Sequence, residues 1–155
     1  MPKPIKRHIA LRPVSREHHQ GLLLSWKIRQ GLKQKVELKR IKKYTDWFWK
    51  NHLQQHFEFE EEYMFPILGK EDKMIKRAMR EHARLRRLFN TPGRLEANLS
   101  LLEEELVSHI RFEERELFEK IEKAAAEEQL ARIEKEHSHN DAEAGEWQDE
   151  FWNEN

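Results

Sequence analysis

Two copies of one short phrase carry the chemistry of this chain. His56-Phe57-Glu58-Phe59-Glu60-Glu61 and His109-Ile110-Arg111-Phe112-Glu113-Glu114 both read HxxFEE, and each is followed by a Phe nine residues after its His, Phe65 and Phe118. Each copy is preceded by a second shared phrase, Arg16-Glu17-His18 and Arg80-Glu81-His82. The order REH, HxxFEE, REH, HxxFEE describes a duplicated two-helix element, each copy supplying two His and one Glu. Residues four apart share a helix face, so His56 projects with Glu60 and His109 with Glu113. Four such helices facing inward would enclose imidazole nitrogens and carboxylate oxygens, the donor set of a metal site.

The elements that must position these groups read as helices almost throughout. Ser15, after Pro13, is expected to cap a helix running to about Arg29, with Leu22, Leu23, Trp26 and Ile28 among its apolar positions and Gly31 near its end. It presents His18. A long second helix from about Val36 to Phe65, stopped by Pro66, carries Ile41, Tyr44, Phe48, His52, Leu53, His56, Glu60 and Tyr63 on one broad face. Asp72 is expected to cap a third helix to about Phe89, in which Ile75, Met79, His82, Leu85 (or Arg86) and Phe89 recur at helical spacing. Asn90-Thr91-Pro92-Gly93 breaks the chain. The fourth helix, about Leu95 to Lys123, places Leu99, Leu102, Leu106, His109, Glu113 and Leu117 on one stripe, and a shorter helix spans Ala126 to His137. An acidic tail bearing Trp147, Phe151 and Trp152 is too polar to fold alone, although its aromatics can clip onto the bundle.

Short connections make successive helices antiparallel neighbours. The expected fold is therefore all-α, an antiparallel up-down-up-down four-helix bundle with a short extra C-terminal helix and tail. Residues 1-14 read as an N-terminal arm, 15-123 as the bundle, and 124-155 as the C-terminal helix and tail.

Composition agrees. A chain of 155 residues, 37% hydrophobic and 37% charged, with five Gly and five Pro, suits helices that have one apolar stripe and a charged outer face. The absence of Cys excludes disulfides, a thiolate nucleophile and sulfur-ligated metal, so any metal is held by N and O donors. No run approaches the roughly 18 apolar residues of a membrane span, and the start MPKPIKRHIALRP lacks the apolar core of a secretory signal. The expected location is the cytoplasm, without a membrane. Residues 1-50 carry 14 Lys+Arg against 3 Asp+Glu, whereas residues 101-155 carry 6 against 18. The basic run from Lys27 to Lys43 could touch nucleic acid or an anionic surface, but it does not interleave aromatics for base stacking. Basic and acidic helices lying side by side is the preferred reading, and nucleic acid is not an expected partner.

Burying two carboxylates and four imidazoles without partners would cost several kcal/mol for each charge and about 1 to 3 kcal/mol for each unsatisfied polar group. A metal removes the objection, because it supplies the positive charge the carboxylates need and takes the imidazole lone pairs as bonds. Mixed imidazole and carboxylate ligation suits Fe, Mn or Zn.

The residues in this order resemble the hemerythrin-like, or HHE cation-binding, family over about residues 15 to 122. The resemblance implies a four-helix bundle around a carboxylate-bridged non-haem di-iron centre. It implies His18, His56, Glu60, His82, His109 and Glu113 as ligands, with Glu60 and Glu113 bridging and Glu61 and Glu114 as the nearest alternatives. It favours two iron ions as the cofactor, with Mn or Zn as alternatives.

One departure is informative. In the oxygen-carrying members the third helix gives two His four residues apart, whereas the position four before His82 is Ala78, which cannot bind metal. Those members also take their last carboxylate five residues after the His, which would be Glu114. Four imidazole nitrogens and two bridging carboxylates supply eight of the roughly twelve positions that two octahedral ions require. At least one iron is more open, leaving room for water, for His52 or Tyr63, or for irreversible redox chemistry. The expected role is sensing, scavenging or handling of O2, peroxide, NO or iron, rather than bulk oxygen storage. A di-iron redox enzyme that reduces peroxide or oxidises ferrous iron, and a metal-stabilised interaction module, are the competing readings.

Other residues have plainer readings. His19, adjacent to His18, is expected to be exposed. His52 is core filler, surface or a helper to the ligands. His137 and His139 belong to the polar C-terminal segment, and Glu134 with His137 is a single Glu-x-x-His, not the paired motif of ferritin-like proteins. Tyr44, Phe59, Phe112, Phe65 and Phe118 read as packing residues, and Tyr63 as packing or a partner to a ligand. Trp47 and Trp49 cannot share a face, so at least one is exposed or meets another segment, with a dimer contact as one option.

Overall fold

A computed structural model of the chain describes residues 6–139 and 146–153. Residues 1–5 of the arm, and 140–145 and 154–155 of the tail, lie outside the described residues, as does the side chain of His139. Every element among the described residues is helical: α1 (Arg12–Lys33), α2 (Leu38–Phe48), α3 (Gln54–Phe59), α4 (Lys73–Asn90), α5 (Leu95–Phe112), α6 (Phe118–Ala124) and α7 (Glu127–His139), joined by π and 3-10 turns. No described helix is long and apolar enough to cross a membrane.

The first helix begins earlier than expected. Pro13 sits in its first turn, where a missing N–H costs nothing, and Ser15 is already inside the helix, where its hydroxyl donates to Glu114 at 2.8 Å instead of capping. Gly31 belongs to the last turn of α1. A Cβ there would lie 2.8 Å from Ile41 Cδ1 and 2.9 Å from Phe151 Cε1, so only hydrogen lets α2 and the tail approach this closely.

The second rod is interrupted rather than uniform. Between α2 and α3 runs a π segment, Trp49–Leu53, and after α3 a second one, Glu60–Met64; Pro66 lies within the 3-10 turn Phe65–Ile67 that closes the rod. The fourth rod has a matching π segment, Glu113–Leu117, between α5 and α6. Two of these wide turns therefore start at the equivalent Glu of each HxxFEE copy. Asp72 caps α4 as expected, accepting from the backbone N–H of Met74 at 2.8 Å and of Ile75 at 3.2 Å. Gly93, at φ +85°, turns the chain toward α5.

In two pairs of rods the contacts run in opposite order along the partners. On α1 and the fourth rod, His18 meets Glu113 while Arg29 meets Glu103; on α4 and α5, Glu81 meets His109 and Arg84 meets Glu105. The apolar interior forms two clusters. One contains Leu24, Ile28, Ile41, Phe57, Phe89, Leu106 and Phe151, the other Leu11, Val14, Met64, Phe65, Ala78, Leu117 and Phe118. The tail is part of the first, because Phe151 is fully buried and Trp147 and Trp152 pack against it. Trp47 meets Trp147 of that tail, and Trp49 stacks on Phe89.

Candidate metal centre

Between the two apolar clusters lies a buried polar one. His18 comes from α1, His56 from α3, His82 from α4, His109 from α5, and Glu60 and Glu113 from the first residues of their π segments. None of the six exceeds 5% exposure. Their inner atoms converge. His18 Nε2 lies 2.8 Å from Glu113 and 3.6 Å from Glu60, His56 Nε2 3.4 Å from Glu60, His82 Nε2 3.2 Å from Glu60 and 3.5 Å from Glu113, and His109 Nε2 3.2 Å from Glu113. The six form two sets, His18-His56-Glu60-Glu113 and Glu60-His82-His109-Glu113, whose donor atoms each lie within 4.8 Å of one another. The two carboxylates are common to both sets.

The outer nitrogen of every imidazole meets a second carboxylate. His18 Nδ1 pairs with Glu114 at 2.7 Å, His56 Nδ1 with Glu17 at 3.0 Å, His82 Nδ1 with Glu61 at 2.5 Å, and His109 Nδ1 with Glu81 at 2.7 Å. Duplication is visible here in three dimensions. The Glu of each REH holds the His of its own repeat's HxxFEE, and the second Glu of each HxxFEE holds the REH His of the other repeat. A carboxylate accepting from Nδ1–H fixes the imidazole tautomer and turns the Nε2 lone pair inward, the arrangement of a metal-ligating His.

The inner atoms are short of partners. Nε2 of His56, His82 and His109, both oxygens of Glu60 and Oε2 of Glu113 are buried and make no hydrogen bond. Two buried carboxylates demand positive charge, and here the imidazoles supply it. Burial alone would lower the pKa of His56, but Glu60 and Glu17 raise it to about 9. His18 and His82 are pushed well above the usual imidazole range, against their burial, by Glu113 and its neighbours, and His109 is raised likewise. Glu113 is held well below the carboxylate range, against its burial, chiefly by the charge of His109. A bound cation would meet the same demand and take the orphaned nitrogens and oxygens as donors, so the residues present fit a metal.

Aromatic rings close the cluster on both sides. Phe57 stacks on His82 with ring centroids 3.9 Å apart, Phe118 stacks on His18 at 5.1 Å, and Phe65 tilts against His82 at 5.3 Å. Ala78 and Val14, one turn before His82 and His18, are fully buried and offer no donor.

Of the nearest alternatives, Glu61 and Glu114 lie outside the inner cluster as partners of Nδ1. His52 sits against Trp47 and Phe48, and the Tyr63 hydroxyl faces Glu136 at 3.5 Å, so neither joins the two donor sets. His19 is exposed. His137 is buried, with Nε2 3.2 Å from Glu17, and so ties α7 to the carboxylate that holds His56. Burial would raise the Glu17 carboxyl, but hydrogen bonds from His137 and His56 hold it at about 2. Tyr44 is buried, which pushes its hydroxyl up to about 12. The sequence reading passes over Glu17 and Glu81 and takes Glu61 and Glu114 only as alternative ligands, although all four are acidic letters shared by both copies of the repeated phrases.

Comparison with known proteins identifies a family. The model of the family described as the hemerythrin HHE cation binding domain matches residues 13–91, which hold His18, His56, Glu60 and His82. No curated protein and no solved structure matches the chain. His109 and Glu113 lie beyond the matched segment but repeat the phrase within it. The chain belongs to the hemerythrin HHE cation-binding domain family.

Proposed function

We propose that this protein holds two non-haem iron ions, one between His18 and His56 and one between His82 and His109, with Glu60 and Glu113 as carboxylates common to both. The observation that carries the reading is the set of buried inner atoms without hydrogen bonds, all six on residues of the two donor sets. We read the four rods as an up-down-up-down bundle spanning residues 15-123, with 1-14 as an arm and 124-155 as an accessory helix and tail.

When bound, the iron pair would supply electrons and open positions to O2, peroxide or NO. The chain's own residues set the conditions. Glu17, Glu61, Glu81 and Glu114 aim the imidazoles, and Phe57, Phe65 and Phe118 keep water from the inner face. Ala78 and Val14 withhold further donors, leaving positions for an external ligand. A cavity of about 40 Å³ touches His56, lined also by Glu17, Phe48 and His52. It has room for one water or diatomic molecule. Two donor-poor positions suit sensing, scavenging or iron handling in the cytoplasm better than reversible storage, which needs a single protected one.

Anaerobic reconstitution with ferrous iron followed by oxygen titration tests this reading. Spectral change that does not reverse on removing oxygen is expected; a stable, reversible oxy spectrum would defeat it. Turnover of peroxide by the reconstituted protein would assign it to the enzymes instead.

A further inference from the structure

The duplication that builds the metal centre also builds two equivalent pockets outside it, and they differ in content. Aligning the repeated phrases pairs Glu61 with Glu114, Phe65 with Phe118, Gly69 with Glu122, Ile75 with Leu11 and Met79 with Ser15. In the second repeat this place is filled by the protein itself. The Arg7 guanidinium lies 5.4 Å from the centre of the Phe118 ring, donates to the Glu114 carbonyl at 2.5 Å and pairs with Glu122 at 3.3 Å. The backbone N–H of His8 donates to the same Glu122 at 2.8 Å, and the Arg7 side chain is only 7% exposed.

In the first repeat the same place is an open pocket of about 660 Å³, which Phe65, Ile75 and Met79 help to line. It lacks the groups that hold the plug, while its cations Lys70, Lys76 and Arg80 align with Lys123, Arg12 and Arg16 of the other repeat. Gly69 stands where Glu122 binds the plug, and apolar Met79 stands where Ser15 is. Glu61 is already engaged by Arg86 at 2.9 Å and by His82. Lys70, Lys76 and Arg80 line the pocket, and Lys76 pairs with the exposed Glu71 at 3.4 Å. A cation such as Arg7 would find no free carboxylate among these lining residues.

We propose that this pocket binds a small amphipathic anion, a monocarboxylate with a hydrocarbon chain. The chain lies against Phe65, Ile75 and Met79, and the carboxylate exchanges solvent for Lys70, Lys76 and Arg80. The volume falls within the range of small-molecule sites. The pocket meets the metal centre through Glu61 and Phe65, both against His82, and none of its lining residues belongs to the two donor sets, so the inference stands independently of which metal the centre holds.

Isothermal titration of the metal-loaded 155-residue chain with decanoate, decylammonium and decanol tests it. Saturable binding of decanoate is expected, with decylammonium at least about tenfold weaker, and with each methylene from hexanoate upward strengthening binding by about three- to fourfold. Met79→Trp fills the pocket and should weaken decanoate about tenfold or more. The double variant Lys76→Gln/Arg80→Gln changes two exposed side chains and should remove the preference for decanoate over decanol. Equal binding of decanoate and decylammonium, or decanoate binding unchanged in Met79→Trp, would overturn the proposal. So would binding to anionic phospholipid vesicles without binding of free decanoate, which would mark a membrane surface instead.

Discussion

Glu81 lies 2.7 Å from Nδ1 of His109, although its neighbour in sequence is His82. Adjacent residues on a helix point about 100° apart, so Glu81 reaches the outer nitrogen of His109 while His82 turns its Nε2 to Glu60 and Glu113. Glu17 stands in the same relation to His56, at 3.0 Å.

Removing these outer carboxylates should damage the two halves separately. Glu81→Ala should weaken metal binding by about 10- to 100-fold in the His82-His109 half, and Glu17→Ala in the His18-His56 half. Competition titration against a chelator, with helicity checked by circular dichroism, measures this. Unaltered affinity in both variants would mean that the outer contacts do not orient the ligands.

The inner residues should behave differently from one another. His82→Ala is expected to reduce one ion's occupancy more than the other's, whereas Glu60→Ala should lower both, because its carboxylate belongs to both donor sets. Metal-to-protein ratios of the purified variants give the answer. A Glu60→Ala protein that loses only one ion would refute the shared role.

The titration of the cluster sets a pH dependence. Raised imidazole values stabilise the metal-free fold fully below the ordinary value of 6.5, and this contribution is lost as pH rises through about 9, the value for His56. The lowered carboxylates Glu60 and Glu113 act in the opposite sense, contributing above 4.5 and failing as pH falls below it. Metal-free protein should therefore become easier to denature between 6.5 and about 9, while metal binding strengthens over the same interval and releases protons. Denaturation midpoints with and without metal, and calorimetry in two buffers of different ionisation enthalpy, test both halves. A metal-free midpoint that climbs over that interval would be contrary.

Beyond the centre, the tail is a structural element. Phe151 is fully buried against α1 and Tyr44, and Phe151→Ala should cost about 3 to 5 kcal/mol. Urea denaturation measures the loss. A change below about 1 kcal/mol would show that the tail is dispensable to the fold.

Much of this was legible in the sequence because helical spacing converts directly into a shared face. His56 with Glu60 and His109 with Glu113 needed only the four-residue interval, and the REH phrase selected His18 over exposed His19. Glu17 and Glu81 were harder, because a side chain's partner on another helix depends on how the rods pack. The π segments at Glu60 and Glu113 left no pattern in residue type. The arm was legible but its docking was not: Arg7 is held by Glu114 and Glu122, over a hundred positions away, and no local periodicity marks such a contact. The tail's aromatics were visible, and their site on the bundle was set by Gly31, whose missing side chain makes room for Phe151.

The most direct test of the central claim is elemental analysis of the full chain purified anaerobically after expression with ample iron. The two donor sets predict two irons per chain, falling toward none when Glu60 and Glu113 are both replaced by Ala. A folded wild-type protein that carries no metal, or a double variant that carries as much as the wild type, would contradict the account.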